Sequence, residues 1–241
     1  MPLFAFPGRI EVIYTKPQCD AACEDLRRRL AGQPSPVVGY DRESVAHVPS
    51  QVGRRAPRGS NSKRAAIVQL CADDEVCYVF AVHTWGDRCY VSFRDFMQDP
   101  TIRKASIGAK NDDTYVKNRF HDLTVAGSVD VGRQVKAISL SSGAPSKFGL
   151  AALIEHFFQL YVDKDAVCHV DWETSVYSRT QLQYAVRLGR QRLAMHVVDR
   201  LVVSRKRWRS TSPLWWPTRD RNFLISAPRS LRSRRQATSI S

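Results

Sequence analysis

The stretch Val37-Val38-Gly39-Tyr40-Asp41-Arg42-Glu43 decides how this chain is read, because an apolar run ends there in two carboxylates with one residue between them. Side chains alternate along a strand, so Asp41 and Glu43 fall on one side of it. Adjacent acids repel each other, and a fold that keeps them together gives them a cation or a proton to share. An Asp-x-Glu triplet taken alone is more often solvated surface. Its weight comes from what the rest of the chain sets beside it.

Upstream, Ile10–Thr15 reads as a short strand and Cys19–Leu30 as a helix, with Asp20 and Glu24 early and Arg27, Arg28 and Arg29 late, the order that the helix dipole favours. Gly32, Pro34 and Pro36 break the chain before the opening strand at 37–43. Residues 44–64 are polar and basic, a loop whose Arg54, Arg55, Arg58, Lys63 and Arg64 are candidate phosphate contacts, although a solvated loop is the plainer reading. Ala65–Cys71 and Val76–Val82 are apolar runs joined by Asp73-Asp74-Glu75, a hairpin signature. A short helix is expected at Phe93–Met97, a strand at Ile102–Ala109 closing on Lys110-Asn111-Asp112-Asp113, and a helix at Thr114–His121. Val125–Val131 supplies the fifth sheet strand, and Phe148–Tyr161 carries apolar residues at helical spacing. Ser178-Arg179-Thr180-Gln181 reads as a helix start. Strands first, then strands alternating with helices, imply a mixed sheet covered on both faces.

The net charge of +14 suggests nucleic acid, but its placement matters more than its size. Residues 200–241 hold eleven Arg or Lys against one acid, Asp220, while the first 185 residues are close to neutral. No apolar run approaches the roughly 20 residues needed to cross a bilayer, and the N-terminus lacks the pattern of a signal peptide. The expectation is an intracellular protein with no membrane contact, nucleus and cytoplasm not being separable. Cys19, Cys23, Cys71, Cys77, Cys89 and Cys168 include no C-x-x-C spacing, so reduced, buried thiols are expected rather than disulfides or zinc.

Asp41 and Glu43 on a central strand, Asp112 at the end of a later strand and Tyr184 on a late helix form a constellation in chain order. Carboxylates so placed can hold a pair of divalent ions about 4 Å apart, which activate water and stabilise the leaving oxygen of a phosphodiester. Oxygen ligands suit Mg²⁺ or Mn²⁺. The segments 37–43, Ile67-Val68-Gln69-Leu70, Ile107-Gly108-Ala109-Lys110-Asn111-Asp112, Val129-Asp130-Val131, Val162-Asp163-Lys164-Asp165, Asp171-Trp172 and Ser178-x-x-Gln181-Leu182-Gln183-Tyr184-Ala185 together resemble the DEDD 3′–5′ exonuclease family, most closely the Werner-syndrome-type exonuclease domain, over roughly residues 10–185. The resemblance implies an α/β, RNase H-like fold: a mixed five-stranded sheet, its first three strands antiparallel, flanked by helices on both faces. It implies a 3′–5′ exonuclease domain at 10–200 after a short extension at 1–9, acting on the 3′ end of DNA or RNA with two metal ions. Asp41 and Glu43 would hold the ion that activates water, Asp112 the other, with Asp113 a neighbour ranked lower. Tyr184 would orient the water, and Lys110 joins the loop cations as a candidate nucleic-acid contact. Trp172 is expected to be a packing residue. Protein partners are not legible.

The third family motif should read Tyr-Ala-x-x-Asp, but the chain reads Tyr184-Ala185-Val186-Arg187-Leu188. Leu188 cannot ligate a hard cation, and losing a direct ligand commonly removes several kcal/mol of transition-state stabilisation. The chain as written therefore reads either as a crippled exonuclease or as an inactive nucleic-acid-binding module of the same fold. The match stops where the composition turns to Arg, Ser, Trp and Pro, and 201–241 reads as a disordered basic tail. Codons for Val186-Arg187-Leu188-Gly189-Arg190 can spell Ser-Asp-Ser-Ala-Ala one nucleotide later, so a frameshift or misplaced splice junction accounts for both departures. Translation of the coding DNA in all three frames is expected to reveal an Asp-containing helix continuing from Ala185; its absence from every frame refutes the frameshift.

Overall fold

The computed structural model describes residues 6–44, 64–134 and 170–187. All of them belong to the unit Met1–Arg205, and a second unit, Lys206–Ser241, lies outside them. The expected helix at 148–161, the cations Arg54, Arg55, Arg58 and Lys63, Leu188 and the tail also lie outside the described residues.

Six strands form one mixed sheet in the order β1-β4-β3-β2-β5-β6. They are β1 (Arg9–Ile13), β2 (Val37–Ser44), β3 (Ala65–Cys71), β4 (Val76–Phe80), β5 (Arg103–Ser106) and β6 (Ser128–Asp130). The antiparallel trio β2, β3 and β4 is extended by parallel β5 and β6 on one side. This is the expected five-stranded arrangement. The short strand read at Ile10–Thr15 becomes a sixth, lying parallel to β4 at the opposite edge.

Helix α1 (Lys16–Leu30) starts three residues before its expected position. The local cause is Thr15, whose backbone N–H donates to the Gln18 side chain at 3.0 Å, so chain direction is fixed before the apolar periodicity begins. At its far end Arg29 reaches Asp25, Asp73 and Glu75, so the basic last turn of α1 grips the β3–β4 turn. That turn is also tied internally, because the Asp73 carboxylate accepts the backbone N–H groups of Glu75 and Val76. The remaining helices are α2 (Val91–Gln98), α3 (Ala109–Arg119) and α4 (Arg179–Arg187).

Alternation along the strands divides the core in two. Val38, Tyr40, Val68, Leu70, Tyr78 and Phe80 pack with α1, α2 and α3, where Phe93, Phe96, Val116 and Phe120 are fully buried. Ile67, Cys71, Cys77 and Val79 pack against the other face with Trp172, Tyr177, Ala185 and Val186. A sheet covered on both faces explains why β3 and β4 are buried along their whole length and read as continuous apolar runs. Among the described residues no helix is long and apolar enough to cross a membrane.

The cysteine expectation is corrected at one pair. Cys71 and Cys77 form a disulfide, because hairpin register sets them directly opposite each other with Cα atoms 4.4 Å apart. Cys19, Cys23 and Cys89 are the buried free thiols that were expected. Alkylation of denatured, unreduced protein should leave Cys71 and Cys77 unlabelled in one linked peptide; full labelling of both would show them to be reduced.

Candidate active site

Strand β2 carries Asp41 and Glu43 at its C-terminal end, one residue apart and next to a bulge at Glu43/Ser44. They share the sheet face on which α4 packs, since Ile67 lies opposite Glu43 and belongs to that core. Asp41 is 7% exposed and stands directly opposite Gln69. Oδ2 of Asp41 and both amide atoms of Gln69 are buried without a hydrogen-bond partner. Such orphaned groups are unfavourable by roughly 1–3 kcal/mol each unless something completes them, which makes this corner the fold's clearest invitation to a ligand.

Asp112 was expected at the end of a strand and instead sits in the first turn of α3. The correction has a backbone cause. Gly108 adopts φ 81°, the left-handed region that glycine enters without steric penalty, and this reversal starts the helix at Ala109, five residues before the expected Thr114. The polar run 110–113 resembles loop in the sequence, yet an acid in a first turn is favoured by the helix dipole. Ser106 on β5 donates its hydroxyl to Oδ2 of Asp112, and Arg42 Nε donates to Oδ1 at 3.2 Å. Asp113 accepts the Ser128 hydroxyl at 2.9 Å.

The acids perturb one another. Burial pushes Asp41 well above the usual carboxylate range, with the charges of Asp112 and then Glu43 adding to it. Burial lifts Glu43 to about 7, opposed by Arg42 and assisted by Asp112. Burial likewise lifts Asp112 to about 6 against the hydrogen bond from Ser106 and the charge of Arg42. The three expected acids are thus brought together electrostatically from both sides of the sheet.

Helix α4 begins where the sequence predicts. Ser178 N–H donates to the Gln181 side chain at 2.9 Å and Gln181 N–H to the Ser178 hydroxyl at 3.1 Å, a reciprocal capping box. This fixes Tyr184 on the second turn, where its ring stacks on buried Trp172 with centroids 6.1 Å apart. Trp172 is the packing residue it was expected to be. Of the candidate nucleic-acid contacts, Lys110 is exposed on α3 and lines a cavity of about 450 Å³ with Asp113, Ser128, Asp130 and Arg133. Arg64 lies 3.9 Å from Asp87.

Sequence reasoning missed Arg42, Gln69, Ser106 and Tyr115. Only Gln69 carried a readable signal, as the one polar residue in the apolar run 65–71. Among the described residues no group of three His, Cys, Asp or Glu is gathered tightly enough to hold a metal ion. Asp41 and Glu43 nevertheless fit a hard divalent cation by their chemistry: oxygen donors, substantially buried, with one carboxylate oxygen lacking any partner.

A family model described as 3′–5′ exonuclease matches residues 14–187. No curated protein matches the chain. Among solved structures the chain is similar to Escherichia coli RNase D, an exoribonuclease involved in structured RNA processing, with TM-score 0.61 and 19% identity over 82% of this chain and 45% of that one. It is similar to the catalytic core of RRP6 from Trypanosoma brucei, with TM-score 0.64 and 14% identity over 85% of this chain and 51% of the other. Brucella melitensis NrnC gives TM-score 0.54 and 17% identity over 74% and 79%. The chain spans about half the length of the first two, and at these identities the likeness is one of fold.

Protons bound by the raised acids favour the folded state, which therefore binds more protons than the unfolded chain between about pH 4, where free carboxylates titrate, and about 7. Stability is fully present below that window and is lost as pH rises through it. Without divalent ions the melting temperature should fall by several degrees from pH 5 to pH 8, and Glu43→Gln should flatten the fall; a profile rising across the window would contradict the assignment.

Proposed function

The chain belongs to the DEDD-type 3′–5′ exonuclease family, and from that premise we propose that it acts at the 3′ end of DNA or RNA, inside the cell, with Mg²⁺ or Mn²⁺ at the acidic end of β2. The observation that carries this reading is the buried, unpartnered carboxylate oxygen of Asp41 beside Glu43 on a central strand. The finer likeness to the Werner-syndrome-type domain rests on motif residues alone.

On this reading Asp41 and Glu43 hold the ion on the α4 side of the sheet, and Asp112, which the family resemblance assigns to a second ion, stands in the first turn of α3. Bound divalent ions supply an activated water and neutralise the leaving oxygen of the phosphodiester. The chain's own part is to place and desolvate the acids. Burial keeps water from screening their charge, so a cation gains more there than at the surface. Tyr184, anchored through its ring on Trp172, is the residue that would orient the attacking water by its hydroxyl. Lys110, exposed two residues before Asp112 in the first turn of α3, would meet substrate phosphate, as would Arg54, Arg55, Arg58, Lys63 and Arg64.

Leu188 stands where the family places its fourth acid, and this favours a second reading: a nucleic-acid-binding module that keeps the groove and has lost the chemistry. On the frameshift reading the basic tail is no measure of affinity for nucleic acid. A 3′-to-5′ degradation assay on 5′-labelled single-stranded DNA and RNA with Mn²⁺ in excess separates the two readings. Wild type should degrade at least a hundredfold more slowly than Leu188→Asp, and Asp41→Asn should abolish activity in both. A folded Leu188→Asp that binds substrate and does not cut would establish the binding module.

A further inference from the structure

The middle residue of an Asp-x-Glu triplet on a strand points to the face opposite the acids. Here that residue is Arg42, and its surroundings are built for it. The guanidinium carbon lies 3.5 Å from the centre of the Tyr115 ring, and Nε donates to Asp112 Oδ1 at 3.2 Å. Asp112 and Tyr115 are three residues apart on α3, so one helix face presents an acid and an aromatic ring to a single cation. The side chains of Arg42 and Asp112 are 16% and 8% exposed. Ser106 donates to the other carboxylate oxygen of Asp112. Both oxygens of Asp112 therefore have protein donors, while Oδ2 of Asp41, on the opposite face of the same strand, has none.

A guanidinium keeps its charge at every working pH. A metal ion that approaches Asp112 meets a carboxylate each of whose oxygens already accepts a protein donor, and it meets a fixed positive charge at hydrogen-bonding distance. Asp41 keeps one carboxylate oxygen without a partner, and the charge of Arg42 is only a minor influence on it beside burial and the neighbouring acids. We propose that Arg42 is the resident counter-cation of Asp112, so that this chain takes one divalent ion, at Asp41 and Glu43, and holds Asp112 back from a second. Arg42 acts through Asp112 and is a positioning residue. The inference rests on the proposed function, because it presumes that the acids of β2 bind metal.

Binding of Mn²⁺, followed by loss of the free-ion electron paramagnetic resonance signal, tests it without any turnover. The full-length wild type should bind one ion, and Arg42→Leu should bind a second, with an affinity at least tenfold above any second site in wild type. Tyr115→Leu, which removes the ring beneath the guanidinium and keeps the charge, should give a smaller gain and serves where Arg42→Leu fails to fold. Two ions of comparable affinity in wild type, or no gain in a folded variant, overturn the role of Arg42 and leave the proposed function standing. Absence of Mn²⁺ binding in wild type and in every variant overturns both.

Discussion

Carboxylates that repel one another are buried at the end of β2, and the local structure is arranged around that repulsion. An acid buried without compensation takes up a proton, as the upward shifts of Asp41, Glu43 and Asp112 record. The fold answers in two ways. On the face toward α3 it gives Asp112 a guanidinium and a hydroxyl; on the face toward α4 it leaves Asp41 incomplete. One strand thus separates a satisfied Asp112 from an incomplete Asp41, and the alternation of side chains is what keeps them apart.

The sheet was legible because its central strands are buried on both faces, which leaves unbroken apolar runs with turn residues between them. Asp41 and Glu43 were legible because acids at the end of such a run are conspicuous, and α4 because Ser178 and Gln181 are the two halves of one cap. The start of α3 was not. Its first turn is polar, and Gly108, whose left-handed backbone launches it, falls inside the run 102–109 that reads as a strand. Arg42 was hidden for another reason: its partner is 70 residues away in sequence, and only the packing of α3 on β2 joins them. The Cys71–Cys77 bond is a matter of hairpin register, which a spacing rule for metal or redox motifs does not see.

Family membership and catalytic competence separate in this chain. The match to the 3′–5′ exonuclease model ends at residue 187, one position short of the leucine that stands in place of an acid. The sheet, the acid pair and the anchored tyrosine do not depend on that position, since each is held by contacts formed earlier in the chain. The scaffold can therefore persist whatever follows it, and likeness of fold says little about turnover.

Strand β1 has a consequence beyond adding one member to the sheet. Without it β4, whose five residues are all buried, would present a bare row of backbone donors and acceptors at the margin. A bare edge of that kind is a template for pairing with another strand. Parallel pairing of Arg9–Ile13 with Val76–Phe80 closes that margin, and the new one is edged by the ion pair of Arg9 and Glu11. A foreign strand docking against β1 would have to desolvate these charges. This short segment, remote from the acids, thus gives the sheet a charged margin in place of a buried apolar one.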